Sequence, residues 1–402
     1  MSSEHTVWII MQPNLLHKTI NAALRTFVFA GEINAASLSK ARRFLFLHYE
    51  TSLGAVVLAT PVFEMLKRLL PEASITVASS GISYQVLKDN PYIDKVYETP
   101  HPLKNFGAAL WYFLTVIRKQ RRSYDCVVCN AESGRLKITL LGLLSGIRWR
   151  IGYEGSIRFF HRSLTRRPGA SFIAENLRVL ELIGFKSEEL EPKMFFTQRD
   201  LEFAQDFLKN NGIVEHRPII GMITQTQTSS GQTSGYEPNS WFSERFVELS
   251  AVIIRRYNAQ LIFVGAQCDQ SEVEKIRFLV KEKTFSAVGL TNISQLAALF
   301  SQCDFAITVD TGAFHVARAV RLPCVVVAPA HNQRFEWLPR PCSLFQILRR
   351  EDICCRQKAC IKRECMAAIG VQDVVAAFDG LFKTFPTSDN NKRIRCNLLT
   401  VS

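Results

Sequence analysis

At 402 residues, with 47% hydrophobic and 21% charged side chains, the chain is long enough for two globular domains and too apolar to be a disordered one. Its formal net charge of +13 favours an anionic partner: a nucleotide diphosphate, a phosphorylated glycolipid or a membrane surface. The linear sequence shows no stripe of interleaved basic and aromatic residues, which argues against a nucleic-acid partner. Eleven cysteines are too scattered for a disulfide scaffold. Cys126, Cys129, Cys303 and Cys324 sit in or beside apolar runs, as buried free thiols do, and imply a reducing compartment. With no spanning run and no signal-peptide pattern, the reading is a cytoplasmic protein.

Residues 1–40 form an extension whose stretch 15–30 draws as an amphipathic helix, suited to packing or to peripheral membrane contact. The first domain, 41–195, opens with a buried strand at 44–48, a loop at 51–54 and a helix over 55–70 with apolar residues at helical spacing. Strands follow at 74–78, 95–97, 126–129 and 148–152. Helices are expected at 84–88, 108–119, 137–144 and 171–183. The second domain, 196–385, continues with helices at 199–210, 244–256, 272–280 and 293–300. Its strands are expected at 218–223, 259–264, 285–288, 305–309 and 324–327. The helix over 371–385 belongs to it and could pack back on the first domain. Residues 386–402 read as a mobile basic tail. Short buried strands alternating with helices mean parallel sheets covered on both faces, so the fold class is α/β with two doubly wound, Rossmann-like halves.

The most informative stretch is 305–330. A buried strand ends at Asp310-Thr311-Gly312, and a helix carrying His315 in its first turn follows. Backbone amides and polar groups thus converge where strand gives way to helix, the usual place for phosphates in open α/β sheets. Gly312 permits close backbone approach to an anion, and His315 could add a hydrogen bond or a charge. Cap and packing roles account for the same residues equally well. The loop 224–240, beginning at Thr224, is rich in hydroxyls and follows a strand. Gly265 ends another. In the first half, Ser52 and Gly54 lie between strand and helix, and Arg135 and Lys137 open a helix after the strand 126–129. These four are acceptor-side candidates, or simply solvated residues.

Five segments in order resemble glycosyltransferase family 9, the lipopolysaccharide heptosyltransferase group: SLGAVVLATPVFEMLKRLLPEASITVA, YDCVVCNAESGRLKITLLGLLSGIRWRIGY, NSWFSERFVELS, NISQLAALFSQCDFAITVDTGAFHVARAV and CMAAIGVQDVVAAF. The fourth carries D-T-G-x-x-H-x-A, the most specific of them. The resemblance implies a GT-B architecture and inverting transfer without a metal or other cofactor. It implies a nucleotide-diphosphate sugar such as ADP-heptose on the second domain, and a lipid-linked or surface-glycan acceptor on the first. By it, Asp310, Thr311, Gly312 and His315 form the donor motif, Trp241 belongs to a donor-side loop, and Gly265 lies near the base or ribose.

Two positions depart from the family pattern. The residue after the first-loop glycine is commonly an aspartate, proposed as the base, and here it is Ala55. A lysine two residues before the loop Trp is replaced by Asn239. Glu50 and Glu132, at strand ends on the same side, are the carboxylates left to serve as base. A non-catalytic sugar- or nucleotide-binding relative is the alternative reading. Cys354, Cys355, Cys360 and Cys365 are dense enough for a metal site or a disulfide, but their spacing is not that of a zinc ribbon, and structural cysteines are the simpler reading.

Overall fold

The structure is a computed structural model that describes residues 34–129, 136–153, 160–224, 240–331, 334–354, 362–385, 392, 396 and 398–401. Six parallel strands form the first sheet: β1 (Arg43–His48), β2 (Ser74–Ser79), β3 (Lys95–Glu98), β4 (Cys126–Cys129), β5 (Trp149–Tyr153) and β6 (Arg162–Leu164). Their spatial order is β3-β2-β1-β4-β5-β6. After the short β7 (Phe196–Thr197), six more parallel strands repeat the pattern: β8 (Ile219–Ile223), β9 (Gln260–Phe263), β10 (Phe285–Ser286), β11 (Phe305–Val309), β12 (Cys324–Val327) and β13 (Phe345–Leu348). The order β10-β9-β8-β11-β12-β13 is the same winding. The central strands are buried along their length, which explains their continuous apolar runs.

Several elements differ from the sequence expectation, each for a local reason. The helix expected over 55–70 is two helices, Leu53–Ala59 and Pro61–Leu69. Pro61 has no N–H to continue the ladder, so Thr60 closes the first helix through its hydroxyl, which donates to the Val57 carbonyl at 2.8 Å. The helix at 106–123 is α-helical only to Tyr112, then passes through a π turn (Phe113–Ile117) and a 3-10 segment (Arg118–Ser123). Strands β6 and β13 escape a pattern search because their residues are only half-buried, apart from Phe345.

Among the described residues the helix Val371–Thr384 packs with the second half, against β12, β13 and the helix Ser243–Tyr257. The tail is anchored where it is described. Lys392 pairs with Asp304 at 2.9 Å, Leu399 is buried, and β14 (Thr400–Val401) pairs with β7. A basic composition concealed this, because the anchoring residues are few and their partners lie about a hundred residues or more away in sequence.

The two halves meet through their helices. The helix Leu53–Ala59, after β1, packs against the helix Gly312–Ala319, after β11. Two glycines permit the approach. A Cβ at Gly54 would lie 2.6 Å from His315 Cδ2, and one at Gly312 would lie 2.9 Å from Leu53 Cβ. Beyond this contact, Phe172 stacks on Trp337 at 4.6 Å, and Arg318 holds Glu191 through two bonds of 2.8 and 2.9 Å.

Candidate active site

In a doubly wound sheet the crevice opens where the winding reverses, at the carboxyl ends of the central strands. These points fall between β1 and β4 in the first sheet and between β8 and β11 in the second. Thr224 and Asp310-Thr311-Gly312 therefore flank one switch point. Glu50, Ser52 and Gly54 lie on one side of the other. Lys137, near the start of the helix after β4, is exposed beside it, with its ammonium 5.9 Å from the Phe106 ring centre. Glu132, Arg135 and Asn239, and with them Cys355 and Cys360, lie outside the described residues. Cys354 is half-buried and Cys365 buried, and among the described residues no group of His, Cys, Asp and Glu could hold a metal ion.

On the second half, Asp310 is 8% exposed, and burial pushes its carboxyl up to about 6 against the opposing pull of the Arg349 guanidinium. Arg349 follows β13, donates to the Ala330 carbonyl at 3.2 Å and to Glu351 at 3.1 Å. Sequence reading missed it, because the half-buried strand that it follows shows no pattern that would set it beside Asp310. Thr311 is the N-cap of the following helix, with extended backbone and no side-chain bond to the helix amides. Those amides are therefore not taken up by a capping side chain, and Thr311, Gly312 and Ala313 are only half-buried. Thr224 is 1% exposed, and its hydroxyl has no partner among the described residues. Gly265 ends the strand segment after β9. A Cβ there would lie 2.8 Å from Asp269 Oδ2, the oxygen that accepts the Ala266 N–H at 2.8 Å, so this glycine serves its own turn.

Two side chains are more enclosed than their sequence context suggests. Trp241 is 2% exposed, donates its indole N–H to the Ile369 carbonyl at 3.1 Å and lies edge-on to Phe246. It ties the start of the helix Ser243–Tyr257 to the turn before the helix Val371–Thr384 and presents no face to the cleft. His315 is 3% exposed, and desolvation first, then the nearby Arg318 charge, push its pKa down to about 3. It is a neutral ring, packed on Gly54, and supplies no positive charge at neutral pH. Its Nδ1 has no partner among the described residues.

Across the contact, Ala55 is fully buried and carries only a methyl group. Glu50 is 6% exposed, and its backbone carbonyl accepts the Ser83 hydroxyl at 2.9 Å. His48, at the end of β1, lies 3.1 Å from the same hydroxyl through Nδ1, and burial pushes it down to about 4. Ser52 caps the helix Leu53–Ala59 without a side-chain bond to it and remains exposed at the junction.

Residues 114–364 match the family described as glycosyltransferase family 9 (heptosyltransferase). The chain belongs to glycosyltransferase family 9. Among curated relatives it is 24% identical to lipopolysaccharide heptosyltransferase 3 of Escherichia coli K12 over 364 residues, covering 85% of this chain and 99% of that protein. Among solved structures it is similar to a family 9 glycosyl transferase from Veillonella parvula, with a TM-score of 0.72, 21% identity and coverage of 85% and 97%. It is also similar to E. coli ADP-heptose LPS heptosyltransferase II, with a TM-score of 0.67, 17% identity and coverage of 85% and 99%. These neighbours give the fold as GT-B. The family 9 member described here is thus a glycosyltransferase, with the uncapped helix after β11 at the switch point of its second half and the helix that carries Ala55 packed against it from the first.

Proposed function

We propose that this family 9 enzyme transfers a heptose or similar sugar from a nucleotide-diphosphate donor such as ADP-heptose to a lipopolysaccharide core or related surface glycan, with inversion. The observation that carries the reading is the uncapped helix N-terminus at Thr311-Gly312, set at the switch point of the second half. Its amides would bind the donor diphosphate and stabilise charge on it as the bond to the sugar breaks. The buried, unpartnered Thr224 hydroxyl on the opposite side of the same switch point would supply a further hydrogen bond. Asp310, flanked by Arg349, would accept from the sugar or ribose hydroxyls. His315 acts by shape: as a neutral ring on Gly54 it sets how closely the two halves approach. The names of the relatives, including the ADP-heptose enzyme, support the choice of donor and acceptor.

Inverting displacement needs a base on the face opposite the leaving diphosphate. It takes the proton of the acceptor hydroxyl as that oxygen attacks the anomeric carbon and the carbon–phosphate oxygen bond breaks. Ala55 cannot do this. Glu50, five positions earlier in the loop that precedes the helix of Ala55, is the carboxylate assigned to it here. Lys137 and Ser52, both exposed, would meet acceptor phosphate or hydroxyl groups.

The test supplies purified full-length protein with ADP-heptose, other nucleotide sugars and a heptose-deficient lipopolysaccharide acceptor. ADP release and the mass of the acceptor are followed. Transfer from ADP-heptose, with Glu50→Gln lowering kcat by about 100-fold or more while donor affinity holds, is the expected result. Failure of every nucleotide sugar to bind or turn over overturns the proposal. Full activity of Glu50→Gln overturns the assignment of the base alone.

A further inference from the structure

From Thr99 to Tyr124 the chain carries five lysines and arginines and no aspartate or glutamate. The structure folds most of this stretch into one helical rod, Phe106 to Ser123. Its inner side, Ala109, Phe113 and Ile117, is fully buried on the first sheet. Its outer side carries Trp111, 67% exposed, and Leu114, 42% exposed, three residues apart and therefore adjacent on the helix surface. The rod then ends in Arg118, Lys119, Arg121 and Arg122, all exposed. Among the described residues none of the four is ion-paired, and Arg118 alone is engaged, donating to the Leu144 carbonyl at 2.9 Å.

Compensating a helix dipole accounts for cations in the last turn. It does not account for an exposed tryptophan and leucine on the same rod, nor for the absence of any carboxylate over 26 residues. An amphipathic element with an indole at its surface and a dense basic end has the chemistry of a bilayer interface. The indole sits at headgroup level and the cations meet anionic phosphates. Nucleic acid fits less well, because a single tryptophan beside a leucine offers no series of stacking faces. No described helix is long and apolar enough to cross a membrane, so any contact made by these residues is peripheral.

We propose that the outer side of the 106–123 rod is a docking surface for an anionic lipid bilayer, with Trp111 and Leu114 inserting at the interface and Arg118, Lys119, Arg121 and Arg122 binding lipid phosphates. The placement has a consequence for the active site. The rod begins at the cleft edge, where Phe106 lies against Lys137, and runs from there along the flank of the first sheet. A rod lying flat on the membrane brings the acceptor-side rim of the cleft to the lipid surface. That consequence rests on the proposed lipid-linked acceptor; the docking surface itself does not.

The experiment measures co-sedimentation of the full chain with vesicles of phosphatidylethanolamine and phosphatidylglycerol, and with vesicles of phosphatidylcholine alone, with no sugar nucleotide present. Binding to the anionic vesicles that weakens with salt is expected. Each arginine or lysine of the four changed to glutamine should weaken it about 5-fold. Trp111→Ser should weaken it about 10-fold. Thermal melts of the same variants, together with their ADP-heptose binding, show that the fold and the donor site persist. The control Lys18→Gln/Arg25→Gln should bind vesicles as the unaltered chain does. Equal binding to neutral vesicles overturns the proposal. So does retention of binding by the fourfold glutamine variant, preferential binding of single-stranded RNA over vesicles, or a dimer that Trp111→Ser dissociates without any lipid binding. Because the vesicle assay contains no sugar nucleotide and the melts report the fold without one, loss of this result and loss of the transferase reading are separately visible.

Discussion

Gly54→Ala tests how the two halves are joined. Glycine lies here in the first turn of the helix Leu53–Ala59, where alanine is normally preferred by up to about 1 kcal/mol. The added Cβ would stand 2.6 Å from His315 Cδ2, whereas unstrained carbon contacts begin near ~3.5 Å, leaving about 0.9 Å to be made up. The imidazole has little room to yield, being 3% exposed and flanked by Phe314 and Trp337 at 5.2 and 6.4 Å between ring centres. Overpacking of this kind costs about 1–3 kcal/mol, so the steric term exceeds the propensity gain and a net loss of about 1–2 kcal/mol follows. Urea unfolding followed by circular dichroism measures it, alongside His315→Ala and the double variant. The double variant should lose at least about 1 kcal/mol less than the sum of the singles, because removing the ring removes the clash. A Gly54→Ala protein as stable as the parent, with additive singles, would falsify the interlocked contact.

Thr224→Val removes a buried hydroxyl that has no partner among the described residues, so stability should hold or rise by up to about 1 kcal/mol, while ADP-heptose affinity measured by calorimetry falls about 10-fold. Trp241→Phe should do the reverse: about 1–3 kcal/mol less stable, because the smaller ring leaves a void in the core and the indole's bond to the Ile369 carbonyl is lost, although Arg245 still donates to that carbonyl, with donor affinity unchanged. For Asp310, the folded pKa of about 6 lies above the reference 3.8, so the native state holds the proton more tightly and stability falls as pH rises from about 4 to 6. Asp310→Asn should abolish that part of the slope and be about 2–3 kcal/mol more stable than the parent at pH 7. Urea midpoints of both proteins across pH 4–7 check it; parallel curves would show that Asp310 is not the group responsible.

Much of the architecture was readable because it is written in local pattern. The apolar runs at 44–48, 219–223, 305–309 and 324–327 are too short for buried helices and read as strands buried on both faces, and the helices between them favour parallel pairing. Pro61 is equally visible, and it marks the start of the second helix, where its missing N–H costs nothing. Elements at the periphery were not readable. Strands β6 and β13 hold too few buried residues to show a period, and β14 exists only because β7 lies beside it.

At the site, the chemical identities were plain and the environments were not. Asp310-Thr311-Gly312 and His315 stand out in sequence as a cap, a flexible residue and a titratable ring. Whether His315 carries charge depends on how much water reaches it, and the other half of the molecule closes that access through Gly54. Trp241 is the same case: its indole partner, Ile369, is 128 residues away.

The sequence by itself determined the α/β class, the two windings, the family pattern and the absence of an acidic residue at Ala55, since these depend on side-chain type and short spacing. Only the tertiary structure decided that Gly54 and Gly312 serve the contact between halves, that His315 is neutral, that Trp241 is core, and that Trp111 and the cations of 118–122 share one outward rod. Each of these depends on solvent exclusion and on close approach between distant segments, and neither is set by neighbours in the chain.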